Sequence, residues 1–226
     1  MEQRIIKQRN DWKKLPAAFF ERNDVAAITK ELLGKILVTK FDNAITAGRI
    51  VEAEAYNGPF DKASHSYGNR RTKRTEVMYS AGGVAYVYLC YGIHQMFNIV
   101  TNVRDIPNAI LIRALEPVTG IAAMLERSKK NVHGFDLTRG PGNVARALAL
   151  HISHSGISLQ SDELFIADDG LQYNESDIAV TARIGVDYAG EDALLPYRFI
   201  VKGNKYVSGK KIQNSKGKIQ NSKERS

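Results

Sequence analysis

The chain has 226 residues, of which 43% are hydrophobic and 25% are charged, and its formal net charge at pH 7 is +8. This length predicts one well-cored globular domain, and the lack of any run of about 18 apolar residues excludes a membrane-spanning helix. Cys90 is the only cysteine, which excludes an internal disulfide framework and a cysteine-based zinc site.

The start of the chain has neither the apolar core nor the cleavage site of a secretory signal. We therefore expect an intracellular protein, in the cytoplasm and nucleoid or in a nucleus. The five histidines also lack metal-ligand spacing. We expect no metal ion, no other cofactor and no membrane partner.

The excess positive charge lies at the two ends of the chain. Residues 1–14 and 208–226 together account for all of it, so the body of the chain is formally neutral. We interpret residues 1–15 as a basic arm, residues 16–207 as the folded domain, and residues 208–226 as a disordered lysine-rich tail in which KIQNSK occurs twice. Each end is either a dispensable extension or an electrostatic tether to phosphates.

The first predicted elements are a helix and two strands. Asp24 can cap a helix that runs to Leu33, and Gly34 can end it. Residues 35–41 and 48–56 are predicted strands; the second alternates Ile50, Glu52, Glu54 and Tyr56 with Val51, Ala53 and Ala55. Residues 57–83 form a long polar segment without periodicity, and loops of that length are often functional.

The rest of the body predicts more strands and two helices. The strands are residues 84–91, 96–101, 109–115, 163–167, 179–186 and 197–207, and the helices are residues 119–129 and 141–150. The first two of these strands are joined at Tyr91-Gly92. Because many strands are joined as hairpins and the helices are segregated, we predict a single α+β domain with a mostly antiparallel sheet.

Glu54 is the first candidate for chemistry, because it lies in the apolar segment VEAEAY. A buried carboxylate there requires either an arginine partner or a role such as activating water. Glu52 lies on the same face at about 6.6 Å, a spacing found in inverting sugar hydrolases. Side chains on one strand point in parallel, however, so a basic partner is the favoured explanation for Glu52. Arg113 requires an acidic partner in turn, which Glu52, Glu54 or Glu116 could supply.

Tyrosines and a basic loop form the second group of candidates. The tyrosines lie in YVYLCYG and the loop is RRTKR, so the group comprises Tyr86, Tyr88, Tyr91, Arg70, Arg71, Lys73 and Arg74. A tyrosine stripe is ordinarily packing, and a charged loop is ordinarily solvated. Together they also suit a protein that extrudes a base from DNA, because the base needs a planar pocket, a wedge to replace it and contacts to phosphates.

These stretches resemble the alkyladenine (3-methyladenine) DNA glycosylase family. The resemblance runs from about residue 16 to residue 207, and its most specific motifs are VEAEAY, YVYLCYG and LIRALEP. The first motif continues into NGPFDKASHS, and other matching stretches are TRGPGNVARAL, ARIGVDYAGE and PYRFIVKGN. The resemblance implies a single α+β domain whose curved antiparallel sheet is flanked by helices, with a protruding β-hairpin that presents a tyrosine to the DNA minor groove.

The resemblance also implies roles for ten residues. Glu54 is the general base, and the attacking water is held by Arg113 and by the backbone carbonyl of Ile184. The pocket for the flipped base has two tyrosines that sandwich it, a histidine that hydrogen-bonds it, and an asparagine that obstructs the exocyclic amine of guanine: Tyr56, Tyr88, His65 and Asn98. The DNA contacts are an intercalating tyrosine and two backbone-facing arginines: Tyr91, Arg70 and Arg74.

The implied function is base-excision repair. The chain would flip 3-methyladenine, 7-methylguanine, hypoxanthine or ethenoadenine out of duplex DNA and hydrolyse the N-glycosidic bond, which leaves an abasic site. No motif for a lysine nucleophile is evident, so we expect no strand cleavage. The expected partner is double-stranded DNA with damaged purines, and the expected state is a monomer. Two alternatives stay open: a carbohydrate glycosidase that uses Glu52 and Glu54, and a module that binds distorted DNA without cutting it.

Overall fold

An antiparallel sheet of nine strands organises the part of the chain that the computed structural model describes, residues 12–209. The strands are β1 (Lys13–Lys14), β2 (Ile36–Phe41), β3 (Ala44–Tyr56), β4 (Val84–Cys90), β5 (His94–Thr101), β6 (Asn108–Thr119), β7 (Leu164–Asp168), β8 (Ile178–Thr181) and β9 (Arg198–Val201). The α-helices are α1 (Ala17–Phe20), α2 (Val25–Leu32), α3 (Ile121–Ser128) and α4 (Pro141–Ala147). Most of the predicted arm and tail, residues 1–11 and 210–226, lies outside the described residues.

β3 is the centre of the sheet. The strand order is β1-β7-β2-β3-β6-β5-β4, and all the described pairings are antiparallel. One edge of β3 pairs with β6, while the other edge pairs first with β2 and then, over Glu52–Glu54, with β9. The sheet curls into a half-barrel, which confirms the predicted α+β class.

Local sequence signals place the first helix and the hairpin as predicted. The carboxylate of Asp24 accepts the N–H of Ala27 at 2.9 Å and so caps α2. Gly34 has a φ of +91°, which suits the turn after the helix. β4 and β5 form the predicted hairpin, in which Cys90 is opposite His94. The segment 57–83, all of it described, contains only short 3₁₀ helices, at Gly58–Phe60, Tyr67–Asn69 and Glu76–Tyr79.

Two irregularities in the pairing of β3 with β6 decide which side chains share a face. The register shifts on both sides of Glu52, so that Val51 and Arg113 are passed over in the pairing. Ile50 therefore packs in the main core with Val51 and Ala53. The predicted alternation, which placed Ile50 on the face of the two glutamates, was wrong because a bulge adds one residue and reverses the alternation.

Two strands near the end of the domain are shorter than predicted. β8 ends at Thr181 instead of residue 186, and β9 covers Arg198–Val201 instead of 197–207. After Thr181 the chain leaves the sheet because Arg183 hydrogen-bonds the carbonyl of Ala55 and the adjacent amide binds a carboxylate of β3. The apolar residues of this stretch predicted a strand, but in the structure they belong to a loop.

The main core lies between the sheet and the helices. α2, α3 and α4 contribute Ile28, Met124 and Val144, all fully buried. Burial of a large apolar side chain of this kind contributes about 1.5–3 kcal/mol. Ala53 and Ala55 of β3 belong to this core, so Glu52 and Glu54, which alternate with them, point to the other face of the sheet. Among residues 12–209, no helix is both long and apolar enough to cross a membrane.

Candidate active site

A cavity of about 740 Å³ lies beside the end of β3, between the β4–β5 hairpin, the polar segment 57–83 and the loop after β8. Nine of the ten residues that the resemblance singles out line it: Tyr56, His65, Arg70, Arg74, Tyr88, Tyr91, Asn98, Arg113 and Ile184. The structure thus brings together residues that are up to 128 positions apart in the sequence, between Tyr56 and Ile184. Their roles stay predictions.

Glu54, the tenth residue, lies directly behind the wall of this cavity. Its side chain is fully buried, and it accepts three hydrogen bonds from groups of cavity-lining residues. Arg113 Nη1 lies at 3.2 Å, the Tyr56 hydroxyl at 3.0 Å and the backbone N–H of Ile184 at 2.8 Å. Ile184 thus contacts the carboxylate through its N–H, whereas the resemblance singled out its carbonyl. These donors fix the orientation of the carboxylate.

Burial dominates the electrostatics of Glu54. Desolvation raises the pKa of Glu54 above its ordinary value, and it outweighs Arg113, Ile184 and Tyr56, which lower the pKa. The expected effect of Arg113, to favour the charged form, is present but smaller than the effect of burial. A carboxylate with a raised pKa is a stronger proton acceptor than an exposed one once it is ionised.

Glu52 is held differently from Glu54. Its carboxylate accepts Arg113 Nε at 3.0 Å, Arg198 Nε at 2.7 Å and the backbone N–H of Ser208 at 2.6 Å. Burial alone would raise the pKa of Glu52, but the two arginines and Ser208 lower it below its ordinary value. The predicted basic partner is therefore confirmed, and both carboxylates share Arg113. Both glutamates lie on the same side of the cavity wall, whereas the two carboxyl groups of a sugar hydrolase flank the bond that they cleave.

An aromatic cluster lines the opposite part of the candidate site. The rings of His65 and Tyr88 meet edge to face, with centroids 4.6 Å apart, and the Tyr86 and Tyr88 ring centroids are 5.5 Å apart. His65 Nδ1 lies 2.8 Å from the Tyr86 hydroxyl. Tyr86 was recognised only as part of the strand stripe, and the structure adds it to the cavity wall. Flat rings of this kind can stack a planar ligand.

Asn98 is fixed in the wall by its own side-chain amide. The amide nitrogen donates to the carbonyl oxygens of Tyr86 and Met96, each at 3.2 Å, and only 4% of Asn98 is exposed. A side chain held in this way cannot move aside easily for a larger ligand. This geometry is consistent with the steric role that the resemblance implies for Asn98.

Tyr91 is at the tip of the β4–β5 hairpin. It is 91% exposed and has a φ of +50°, a conformation that costs a non-glycine residue about 1–2 kcal/mol. The residue after it, Gly92, also has a positive φ, at +74°. The turn therefore projects the Tyr91 ring into solvent at the mouth of the cavity, where a ligand that covers the cavity could contact it.

The basic loop divides into an inward and an outward part. Arg74 Nη2 lies 3.0 Å from His65 Nε2, and the Arg74 guanidinium lies 5.0 Å from the centre of the Tyr88 ring. Arg71, by contrast, is paired with Glu76 and with Asp105 on the outer surface. Arg70 is exposed and lines the cavity mouth. Arg74, for which a DNA contact is predicted, is thus an exposed residue that also lines the cavity.

The structure also adds a buried ion pair that the sequence did not reveal. Arg183 bonds both carboxylate oxygens of Asp61, donates to the carbonyl of Ala55 at 2.9 Å, and lies 4.7 Å from the centre of the Tyr56 ring. Both charged side chains are almost fully buried. Both residues fall inside stretches that carry the resemblance, PFDKASHS and ARIGVDYAGE, but spacing gives no sign that residues so far apart would pair.

Residues 18–205 match the family model described as methylpurine-DNA glycosylase. The chain is 45% identical over 188 residues to a protein of Chlamydia felis, a match that covers 83% of this chain and 95% of the other. It is 46% identical over 204 residues to a protein of Bacillus cereus, with 86% and 98% covered, and 42% identical over 205 residues to one of Bacillus cytotoxicus, with 86% and 99% covered. All three relatives are named as candidate 3-methyladenine DNA glycosylases.

Proposed function

This chain belongs to the methylpurine-DNA glycosylase family and is an N-glycosyl hydrolase of DNA, and we propose that it removes alkylated and deaminated purines with a water activated by Glu54. The observation that carries the proposal is the position of Glu54. It is a fully buried carboxylate with a raised pKa, and three of its neighbours line a cavity walled by tyrosines. The product would be free base and an abasic site.

The proposed chemistry begins at the wall of the cavity. A water beside Arg113 and Ile184 would give its proton to Glu54 while its oxygen attacks the anomeric carbon of the sugar. Arg113 holds Glu54 Oε2 at 3.2 Å, which keeps the carboxylate aligned before the reaction. Glu54 in its ionised form would accept the proton, and Arg113, Ile184 and Tyr56 favour that form against the effect of burial.

The proposed specificity comes from the aromatic wall. Alkylation at N3 or N7 gives a purine a positive charge, and the faces of Tyr56 and Tyr88 would attract such a cation by about 0.5–2 kcal/mol. The same faces stack neutral lesions such as hypoxanthine and ethenoadenine. His65 would hydrogen-bond the base, and Asn98 would obstruct the amine of guanine. Damaged bases pair poorly, so they are also less costly to flip.

DNA would approach from the side of the hairpin. Tyr91 would enter the duplex and replace the stacking of the flipped base, and Arg70 and Arg74 would contact the phosphate backbone. We propose that one chain acts alone, as a monomer, inside the cell. A lysine that attacks the sugar must be activated by desolvation, and Lys62, the single lysine among the described lining residues, is exposed. We therefore propose that the strand is not cleaved.

The test is incubation with a duplex that carries one hypoxanthine, ethenoadenine or 7-methylguanine, followed by alkali to break abasic sites. We expect cleavage only after alkali. Cleavage without alkali would contradict the proposed lack of strand scission. Tight, salt-sensitive binding with every lesion left intact would support a binding module instead, and hydrolysis of an aryl glycoside without lesion excision would support a carbohydrate glycosidase.

A further inference from the structure

Excision of a neutral purine requires stabilisation of the leaving group, which Glu54, the proposed general base, does not supply. When the bond from the sugar to N9 breaks, the purine keeps the electron pair, so a neutral base leaves as an anion. A cationic base leaves as a neutral molecule and needs no such help. The departing anion must therefore be protonated or stabilised by a positive group within the cavity.

His65 does not suit the role of proton donor. Burial, together with Arg74 and Arg70, lowers the pKa of His65 to about 4, so its ring is neutral near pH 7. A guanidinium has only donors, so Arg74 Nη2, which lies 3.0 Å from His65 Nε2 and 3.3 Å from His65 Nδ1, donates to this ring, and His65 Nδ1 also lies 2.8 Å from the Tyr86 hydroxyl. The ring nitrogens contact Arg74 and Tyr86, so His65 would hydrogen-bond a base only after Arg74 moves away.

Arg74 is the cavity-lining arginine that contacts the His65 and Tyr88 part of the aromatic wall. Its guanidinium contacts His65 and lies over Tyr88, two residues that would bind the flipped base. Arg113 also lines the cavity, but it is bonded to both buried glutamates. Arg71 is bonded to carboxylates outside. Among the described residues, no carboxylate oxygen lies within 4.0 Å of the Arg74 guanidinium. Its positive charge is therefore available to a ligand.

We propose that Arg74 is a specificity-determining catalytic residue that stabilises the departing base when that base is a neutral purine with acceptor atoms on its N7 and six-position edge. This inference rests on the function proposed above. On entry of the base, the guanidinium would move from the face of Tyr88 to the edge of the purine, in place of the phosphate contact given to it above. There it would donate hydrogen bonds to N7 and O6, as an arginine does with guanine in DNA.

The bonds and electrons balance without a proton donor in the cavity. Water oxygen forms a bond to the anomeric carbon, and Glu54 takes the water proton. The bond to N9 breaks, and its electron pair goes to the purine ring, where the charge spreads toward N7 and O6 beside Arg74. The released purine anion later takes a proton from solvent, and Glu54 returns its proton there.

The same charge acts in the opposite sense on a cationic base. A purine methylated at N7 has lost the acceptor that Arg74 would bind, and its positive charge repels the guanidinium. Arg74 therefore shifts the relative preference of the enzyme from cationic toward neutral lesions. Substitution of Arg74 by an uncharged residue should reverse this shift.

The experiment compares single-turnover excision of hypoxanthine and of 7-methylguanine by the full chain and by Arg74→Gln, Arg74→Lys and Arg70→Gln. Arg70→Gln is the matched control, because it removes the same charge from the same loop at the cavity mouth. We expect Arg74→Gln to slow hypoxanthine excision by about ten- to a hundredfold, with the 7-methylguanine rate unchanged or raised. Arg74→Lys should keep part of the hypoxanthine rate. Arg70→Gln should weaken DNA binding without changing the ratio of the two rates.

Two results would overturn the inference while leaving the proposed function intact. Equal losses on both lesions with Arg74→Gln would reduce Arg74 to a DNA contact, and unchanged rates on both would remove it from the reaction. Failure of the parent chain to excise either lesion would instead refute the proposed function. Melting curves report whether the variants fold. Because Arg74 is exposed, we expect its substitution to change the melting temperature little.

Discussion

The hydroxyl of Tyr56 donates a hydrogen bond to Glu54 Oε2 at 3.0 Å, although the two residues are only two positions apart on β3. A residue that forms part of the base-binding wall thus also holds the proposed general base. Burial raises the pKa of the Tyr56 hydroxyl well above its ordinary value, so it remains a donor throughout the pH range of the enzyme. In the proposed mechanism, this one hydrogen bond would link substrate binding by Tyr56 to proton acceptance by Glu54.

Glu54→Gln should abolish most of the excision but keep binding to lesion DNA. Glutamine has nearly the same shape, but it cannot accept a proton from water, so we expect a loss of about 10²–10⁴-fold in single-turnover rate. Binding to a duplex with ethenoadenine, measured by fluorescence anisotropy, should change little. Turnover retained by this variant would remove Glu54 from the mechanism.

Tyr56→Phe should move the acid limb of the pH–rate profile to higher pH. The pKa of Glu54 is already raised, and the excision rate should grow as pH rises through it, because only the ionised form accepts a proton. Among the groups that face Glu54, Arg113, Ile184 and Tyr56 lower its pKa while Glu52 raises it. Loss of the Tyr56 hydroxyl should therefore raise the pKa of Glu54 further.

A cationic substrate such as 7-methylguanine is the right probe for this profile, because its departure needs no protonation of the base. Tyr206→Phe is the matched control: its hydroxyl lies 3.0 Å from His133 and has no contact with Glu54. A profile for Tyr56→Phe that coincides with that of the control, or an acid limb shifted downward, would contradict the linkage.

Tyr91→Ser should weaken base flipping, because the exposed ring would no longer fill the gap left in the duplex. We expect excision to slow most for a lesion that stacks well, by about tenfold or more, since stacking of one base on an aromatic ring contributes about 1–3 kcal/mol. Val132→Ser is a control that removes another exposed apolar side chain, 77% accessible and outside the cavity lining. Equal rates and lesion affinities for the two variants would count against the wedge.

Asp61→Asn should destabilise the domain by about 3–5 kcal/mol, because it leaves the buried charge of Arg183 without its partner. Chemical denaturation measures this loss. Glu31→Gln removes one half of the exposed pair with Arg22 and should cost about 0–1 kcal/mol. A loss for Asp61→Asn as small as that of the control would mean that the pair contributes little to the fold.

The elements that follow from local patterns were predictable from the sequence. The cap at Asp24 and the hairpin turn at Tyr91-Gly92 depend on neighbouring residues, and the structure confirms both. The residues of the candidate site were found through family motifs, and the structure gathers nine of them around one cavity. The roles of these residues stay predictions until the variants are measured.

The features of the fold that the sequence did not predict depend on contacts between distant parts of the chain. Ile50 lies on the opposite face of β3 from the one predicted, because the pairing with β6 contains a bulge beside Glu52. The early end of β8 arises because Arg183 turns toward Asp61 on another segment. Neither contact leaves a periodic trace in the sequence, since periodicity reports which face of an element is apolar and not which element it meets.

Ser208 binds Glu52 through both its backbone N–H and its hydroxyl, although the sequence interpretation placed it at the start of the tail. The buried glutamate also pairs with Arg113 and Arg198, so its partners come from two distant parts of the chain, Arg113 and the stretch from Arg198 to Ser208. A nascent chain on the ribosome cannot complete this cluster until position 208 has left the exit tunnel. A chain that has not yet released Ser208 therefore lacks one of the donors that hold Glu52, the glutamate that shares Arg113 with the proposed base.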